Sequence, residues 1–220
     1  MSAKSKSQKA QTPDDAKTLI IRAPQRGRLQ IRVIGETPLI MHRWSEKAIK
    51  EMLDKQRGIK KMAKKEAKDP QQDYEDSMYR MPDDSGYAFP AVAFKAAMVS
   101  ACREIDDLTM TQARQLFHVK GIETPEFVRI NGTPRMRQDT VRVANGAADI
   151  RFRGEFVEWS ADLEIDYNAA MLTASDVANL LAYAGASVGI GERRPEREGN
   201  SFGLFRVAAV DDQETTNEQS

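Results

Sequence analysis

The 220-residue sequence predicts an α+β domain: a βαββαβ sandwich with an insertion after its first strand and a protruding β-hairpin. Three observations carry the prediction. Residues 28–34, RLQIRVI, alternate polar and apolar as a half-buried strand does. Two helix signals follow, a proline-led apolar run at 90–105 and a Thr173-x-x-Asp176 capping box. The stretch between them is punctuated by Asn-Gly turns and reads as strands.

Taken in order, residues 1–18 are polar and are expected to form a disordered tail, as is 211–220, leaving one domain over 19–210. In the first strand Leu29, Ile31 and Val33 share one face and Arg28, Gln30 and Arg32 the other; Gly35 and Pro38 end it. The insertion, 36–86, reads as helix and loop. Ser45 caps a helix to about Arg57 with Ile49, Met52 and Leu53 as its apolar stripe. Residues 57–72 are too polar to bury much, and a frayed helix or loop closed by Asp69-Pro70 is expected there. Tyr87-Ala88-Phe89 is a short extended piece. The 90–105 helix is apolar on most faces, which marks it as buried.

The hairpin region spans 126–158. Phe127–Ile130 meets the turn Asn131-Gly132-Thr133-Pro134, and Val141–Val143 meets Asn145-Gly146. Further strands are expected at 147–157 and 160–167. Asp162, Glu164 and Asp166 point outward on the second of these, so cross-strand ion pairs with the first strand are expected. The capped helix carries Val177, Leu180, Leu181 and Ala184 and is expected to stop at Gly185. Phe202–Ala208 forms the last strand. This order is that of a ferredoxin-like (RRM-like) sandwich, with every helix on one sheet face.

Composition narrows the function classes. No run of 18 apolar residues predicts a transmembrane helix, and the N-terminus lacks the apolar core of a secretory signal. Cys102 is alone, which excludes an intramolecular disulfide and a cysteine zinc cluster. With only His42 and His118 besides, a metal site would need carboxylates. A cytoplasmic protein without cofactor, metal or membrane partner is expected. The net charge of zero hides an asymmetry: residues 1–70 hold 18 Lys+Arg against 8 acids, and residues 71–220 hold 15 against 25. A basic front half marks either a nucleic-acid contact or a solvated tail and helix.

Several residues carry candidate chemistry. The stretch GIGERRPEREGNSFGLF (189–205) sets Gly189, Gly191 and Gly203 around Arg193, Arg194 and Arg197. Successive N–H groups of such a loop can converge on a phosphate. Equally, the glycines can serve a packing turn, with the arginines paired to Glu192, Glu196 and Glu198. Lys95 lies in an apolar helix, so its ammonium must reach water, a carboxylate or a phosphate; Arg103 follows two turns on. Arg135, Arg137, Arg142, Arg151 and Arg153 face only Asp139 and Asp149 within 135–153 and suit phosphate forks, or a charge-decorated hairpin. Trp44, Tyr74 and Tyr79 are candidate base-stacking groups, worth roughly 1–3 kcal/mol each if they stack, or members of a small core. His42 is the one weak catalytic candidate, a general base with no acid–base partner evident in sequence.

Three segments together resemble the RAMP superfamily of CRISPR-associated proteins, especially the backbone subunits of multi-subunit effector complexes. They are LQIRVIGETPLI, then YAFPAVAFKAAMVSACRE with Pro90, Lys95 and Arg103 in the family's places, and the glycine-rich loop before the last strand. Ala96 stands where the family has a glycine. The chain is also similar to proteins of tailed phages and prophages, which would place it in a host cytoplasm. The resemblance implies a non-catalytic protein that binds single-stranded RNA or DNA through phosphates and assembles head to tail along the strand. It implies phosphate contact at the glycine loop, with Lys95 close by, and a hairpin that touches RNA and the neighbouring subunit. Two alternatives accompany it: a metal-independent RNA-processing endoribonuclease using His42, and a phage interaction protein that mimics an effector subunit.

Overall fold

The computed structural model describes residues 23–59, 68–142 and 148–209; the expectations for the two tails, for part of the 57–72 loop and for the Asn145-Gly146 turn lie outside these residues. Strand β1 (Arg26–Gly35) leads through Pro38 into β2 (Leu39–Ile40). Ser45 caps α1 (Glu46–Gln56), its hydroxyl accepting the Ala48 N–H at 3.2 Å. Asp69 then caps a second helix, α2 (Pro70–Asp76). Proline at the first helical position pre-sets φ and gives up an N–H that would have no partner, so Asp69-Pro70 opens a helix and does not close a loop. β3 (Tyr79–Arg80) and β4 (Tyr87–Pro90) pair antiparallel. α3 (Ala91–Ala101) buries Phe94, Ala97, Met98 and Ala101 and tightens into a 3-10 turn at Cys102–Glu104.

Two elements follow that the sequence reading lacks. Thr109 and Gln112 build a capping box for α4 (Met110–Leu116), which runs directly into β5 (Phe117–Gly121). Next come β6 (Phe127–Asn131), β7 (Pro134–Arg142), β8 (Ala148–Phe156) and β9 (Ser160–Asn168). The Asn131–Pro134 turn does not close a hairpin: β6 pairs with β4 and β9, whereas β7 pairs with β8, so the chain changes sheets there. The expected capping box of Thr173 and Asp176 opens α5 (Ala174–Tyr183). Gly185 does not stop it. The helix widens into a π-turn over Ala184–Val188 and ends at Gly189, whose φ is 71°. A short α6 (Pro195–Glu198) and β10 (Phe205–Val207) complete the chain.

The larger sheet runs β10-β1-β9-β6-β4-β3, with β5 also paired to β9, and its pairs are antiparallel. β5 and β6 lie along the same edge of β9. Alternation sorts β1 and β9 as expected. Arg28, Gln30 and Arg32 meet Asp166, Glu164 and Asp162 at 2.9, 3.4 and 2.7 Å on the polar face, and Lys120 also pairs with Asp166. On the other face Val33, Ala161, Leu163 and Ile165 are buried with α3 and α5 in one core. Phe205 anchors it, its ring 5.8 Å from Phe94 and 6.1 Å from Trp159. The smaller sheet, β2-β8-β7, joins this core through Leu39 and Phe156. The α+β class with antiparallel sheets therefore holds, while the insertion adds β2 and β3 to the helix and loop expected there. Among the described residues no helix is long and apolar enough to cross a membrane.

Gly185 has a reason other than stopping a helix: a Cβ there would overlap the Phe205 backbone oxygen. An unobstructed helix position and this crowded one predict opposite signs for an added methyl. In an unobstructed helix Gly185→Ala would stabilise by about 0.5–1 kcal/mol; here it should destabilise by about 1–3 kcal/mol, read as a lower urea midpoint.

Candidate nucleic-acid interface

The β7–β8 register sets Arg135 opposite Glu155, Arg137 opposite Arg153 and Asp139 opposite Arg151, all on one face. There the side chains form a network. Arg137 donates to Asp139 at 3.0 Å and to Glu155 at 2.7 Å, Arg135 donates to Glu155 at 2.7 Å, and Arg153 donates to Asp139 at 3.2 Å. The centre is buried: Arg153 and Glu155 are 3% exposed and Asp139 5%. The loop after the π-turn closes over it. Arg193 donates to Asp139 at 3.0 Å, Glu192 lies 3.8 Å from Arg153, and His42 Nδ1 lies 3.3 Å from the Glu192 carboxylate. The guanidinium groups of Arg137 and Arg193 stand 4.8 and 5.7 Å from the Phe202 ring centre.

Arg135, Arg137, Arg153 and Arg193 thus share Asp139, Glu155 and Glu192, with Glu198 a further 3.8 Å from Arg193, and Arg153 Nε is without a protein partner among the described residues. Burial alone would raise the Glu155 carboxyl, but bonds from Arg135 and Arg137 hold it below the ordinary glutamate value. Glu192 is lowered by its bond to His42, against burial, with Arg153 and Arg151 adding to the effect.

The glycines hold the loop in place by packing. Gly189, Gly191 and Gly203 have φ of 71°, 80° and 70°. A Cβ on Gly191 would stand 2.7 Å from Ile40 O, and one on Gly203 would overlap Ile190 O. The N–H groups of Gly189, Ile190, Glu192 and Gly203 donate to the carbonyls of Ala184, Gly203, Ile40 and Pro38. Those four donors are occupied within the protein and do not converge on an anion site, so the geometry favours the packing turn. Two of the glutamates behave as that reading expects, Arg194 pairing with Glu196 at 3.4 Å and Arg193 standing 3.8 Å from Glu198, whereas Glu192 turns to His42 and Arg153; Arg194 also donates to Gly191 O at 3.0 Å.

The other sequence-derived residues scatter. Lys95 donates to Arg114 O at 2.9 Å and lies 3.2 Å from His118 Nδ1, on the α4–β5 side; burial lowers its pKa. The glycine loop meets α3 on another side, through Ser100 and Arg103, which reach Glu196 at 2.6 and 3.5 Å. Lys95 is therefore not brought to the loop. Five residues separate Lys95 from Ser100, which turns them well apart around the helix. Arg137, Arg153 and Arg193 are spent on the network, whereas Arg135 (66% exposed), Arg142 and Arg197 face solvent and Arg151 sits 3.7 Å from Asp149. Tyr74 donates to Pro134 O at 3.3 Å, and Tyr79 packs edge-on 5.7 Å from Phe89; both are small-core residues, raised in pKa by burial. Trp44 is 56% exposed. Sequence reasoning missed Glu155 as a counterion and paired Glu192 with arginines of its own loop, whereas it faces Arg153 and His42. Carrying the i, i+2 alternation of Arg151 and Arg153 one step further would have found Glu155; nothing local points to the long-range partners of Glu192.

No protein-family model and no curated protein matches the chain. Among solved structures it is similar to a chain from a cryo-EM structure of the Type III-B Cmr-beta bound to cognate target RNA, with a TM-score of 0.53 and 9% identity. The match covers 84% of this chain and 59% of that chain, so this protein spans about three-fifths of its neighbour's length. At this identity the likeness is one of fold.

Two stability measurements test the network and the loop. Glu155 is depressed in the folded state, so its contribution is present above the unfolded value of about 4.3 and is lost as pH falls below it. Urea titrations at neutral and acid pH should show a shallower acid loss for Glu155→Gln than for the parent, and about 3 kcal/mol less stability at neutral pH, since a buried partner is removed. In the loop, Gly203→Ala should cost more than Gly199→Ala. Both have positive φ, but a Cβ on Gly199 meets nothing within 4 Å. Equal losses would contradict the packing role.

Proposed function

We propose that this protein is a non-catalytic binder of single-stranded nucleic acid, RNA before DNA, of ferredoxin-like RAMP type, whose copies follow one another head to tail along the strand. The observation that carries the reading is the fold likeness to a chain of an RNA-bound complex over 84% of this protein. The order β10-β1-β9-β6, with α3 and α5 as connections, supports the ferredoxin-like reading, because it is the 4-1-3-2 arrangement of a βαββαβ sandwich. Phosphate contacts are assigned to the solvent-facing cations: Arg135 at the exposed rim of the network, Arg142 and Arg151 on the hairpin, and Arg103 and Arg197 at α6. Arg137, Arg153 and Arg193 position Arg135 and the loop. Lys95 and the loop glycines keep structural roles. Trp44 is the stacking candidate. Affinity drawn from phosphates is sequence-tolerant and falls with salt.

Fluorescence anisotropy with labelled single-stranded RNA and DNA tests this. Binding is expected at about 50 mM salt, and each phosphate contact removed from Arg135, Arg142 and Arg197 by alanine should lower the log K against log salt slope by about 0.7. No response to either strand sinks the proposal and leaves the interaction-protein reading. One observation favours a second reading: the His42–Glu192 contact of 3.3 Å gives the imidazole the orienting carboxylate that a general base uses. Cleavage of structured RNA in chelator, abolished in His42→Ala, would establish a metal-independent ribonuclease in its place.

A further inference from the structure

Between α5 and the segment from the 3-10 turn into α4 lies a groove of about 540 Å³. Ile105, Leu108, Leu172 and Leu180 line it, and Met171 and Tyr183 stand 59% and 55% exposed at its mouth. Glu104, Asp106, Asp107 and Asp176 line it as well and are all exposed, so they form its rim; no Lys or Arg does so among the described residues. An apolar floor under an anionic rim suits a peptide that carries large apolar side chains between cations.

The sequence supplies such a peptide, and the fold releases it beside the groove. Residues 17–22, KTLIIR, set Leu19, Ile20 and Ile21 between Lys17 and Arg22 without an acid among them. Over residues 1–22 the balance is five Lys+Arg against Asp14 and Asp15. This segment lies outside the described residues, but the place where it joins the fold is fixed. Ala169 N–H donates to Gln25 O at 2.9 Å, and Met171 and Leu172, the second and third residues after Ala169, line the groove. Leu19 precedes Gln25 by six residues, a reach of up to about 20 Å. From Asp176 to Tyr183 the α5 wall is seven residues long, about 10 Å. The tether spans the site.

The other terminus points the same way but has the wrong chemistry. β10 runs antiparallel to β1 and so is directed toward the start of that strand. Residues 211–220 hold Asp211, Asp212, Glu214 and Glu218, with no Lys, no Arg and no large apolar residue. An acidic peptide without anchors would be repelled by the rim and would leave the floor uncovered.

We infer that residues 17–22 bind in the groove between α4 and α5 of their own chain, with Leu19 and Ile21 against its apolar floor and Lys17 and Arg22 at its exposed carboxylates. An extended segment sends Leu19 and Ile21 to one face, as the floor requires. Because the segment is tethered at the mouth, binding is intramolecular and independent of protein concentration. Apolar burial holds the segment, and the charges select and orient it; salt weakens only the second contribution. The site is a peptide-binding groove filled in cis, and it does not depend on nucleic-acid contact.

Peroxide footprinting and carbodiimide cross-linking of the full chain, without nucleic acid, test it. Met171 oxidation, read by peptide mass spectrometry, should be several-fold slower in the parent than in the Leu19→Asp, Ile21→Asp variant. Glu104→Lys with Asp106→Lys, which sets cations against Lys17 and Arg22, should expose Met171 as well. The rim positions are exposed and Leu19 and Ile21 lie outside the described fold, so both variants should keep the parent's circular dichroism. Carbodiimide should join Lys17 to a rim carboxylate within a monomer, and that product should be lost in the Leu19→Asp, Ile21→Asp variant. Equal Met171 oxidation in the parent and that variant overturns the inference. So does the absence of any Lys17 product, or a product that survives in the variant, which would report only chance encounters of a nearby lysine. A product found only between chains also overturns it, since the groove would then belong to a second copy.

Discussion

The ion network under residues 191–194 is the constraint on which the rest of this structure depends. A guanidinium as enclosed as Arg153, at 3% exposure, is tolerable only where carboxylates meet it, since an uncompensated buried charge costs several kcal/mol. Its partners come from three places: Asp139 from β7, Glu155 from β8 through Arg137, and Glu192 from the loop before β10. Satisfying them together fixes the small sheet against the segment that closes the large one. The loop must then pass close under the Ile40 carbonyl, and Gly191 is the residue that permits it. Packing there follows from the electrostatics.

That network also explains which parts were legible in the sequence. β1 could be read because Arg28–Val33 alternate strictly and its outward arginines find acids on β9 at matching register. α5 could be read from its capping box. β2 and β3, two residues each, are too short for any period to register. They exist because neighbouring strands β8 and β4 offer backbone partners. The arginines of the hairpin were visible, but their fate was not. His42 and Glu192 are 150 positions apart, so that pair exists only in the fold. Lys95 shows the same limit: sequence demands a partner for its ammonium, and the fold supplies a carbonyl and an imidazole where a phosphate was expected.

Two consequences for binding follow from this division of charge. Arg137, Arg153 and Arg193 are held by the carboxylates of the network and are poor phosphate ligands, because a phosphate would have to displace a bonded, desolvated partner. Outside it, the exposed arginines of the hairpin and α6 are carried on the small sheet and on the loop that seals the network.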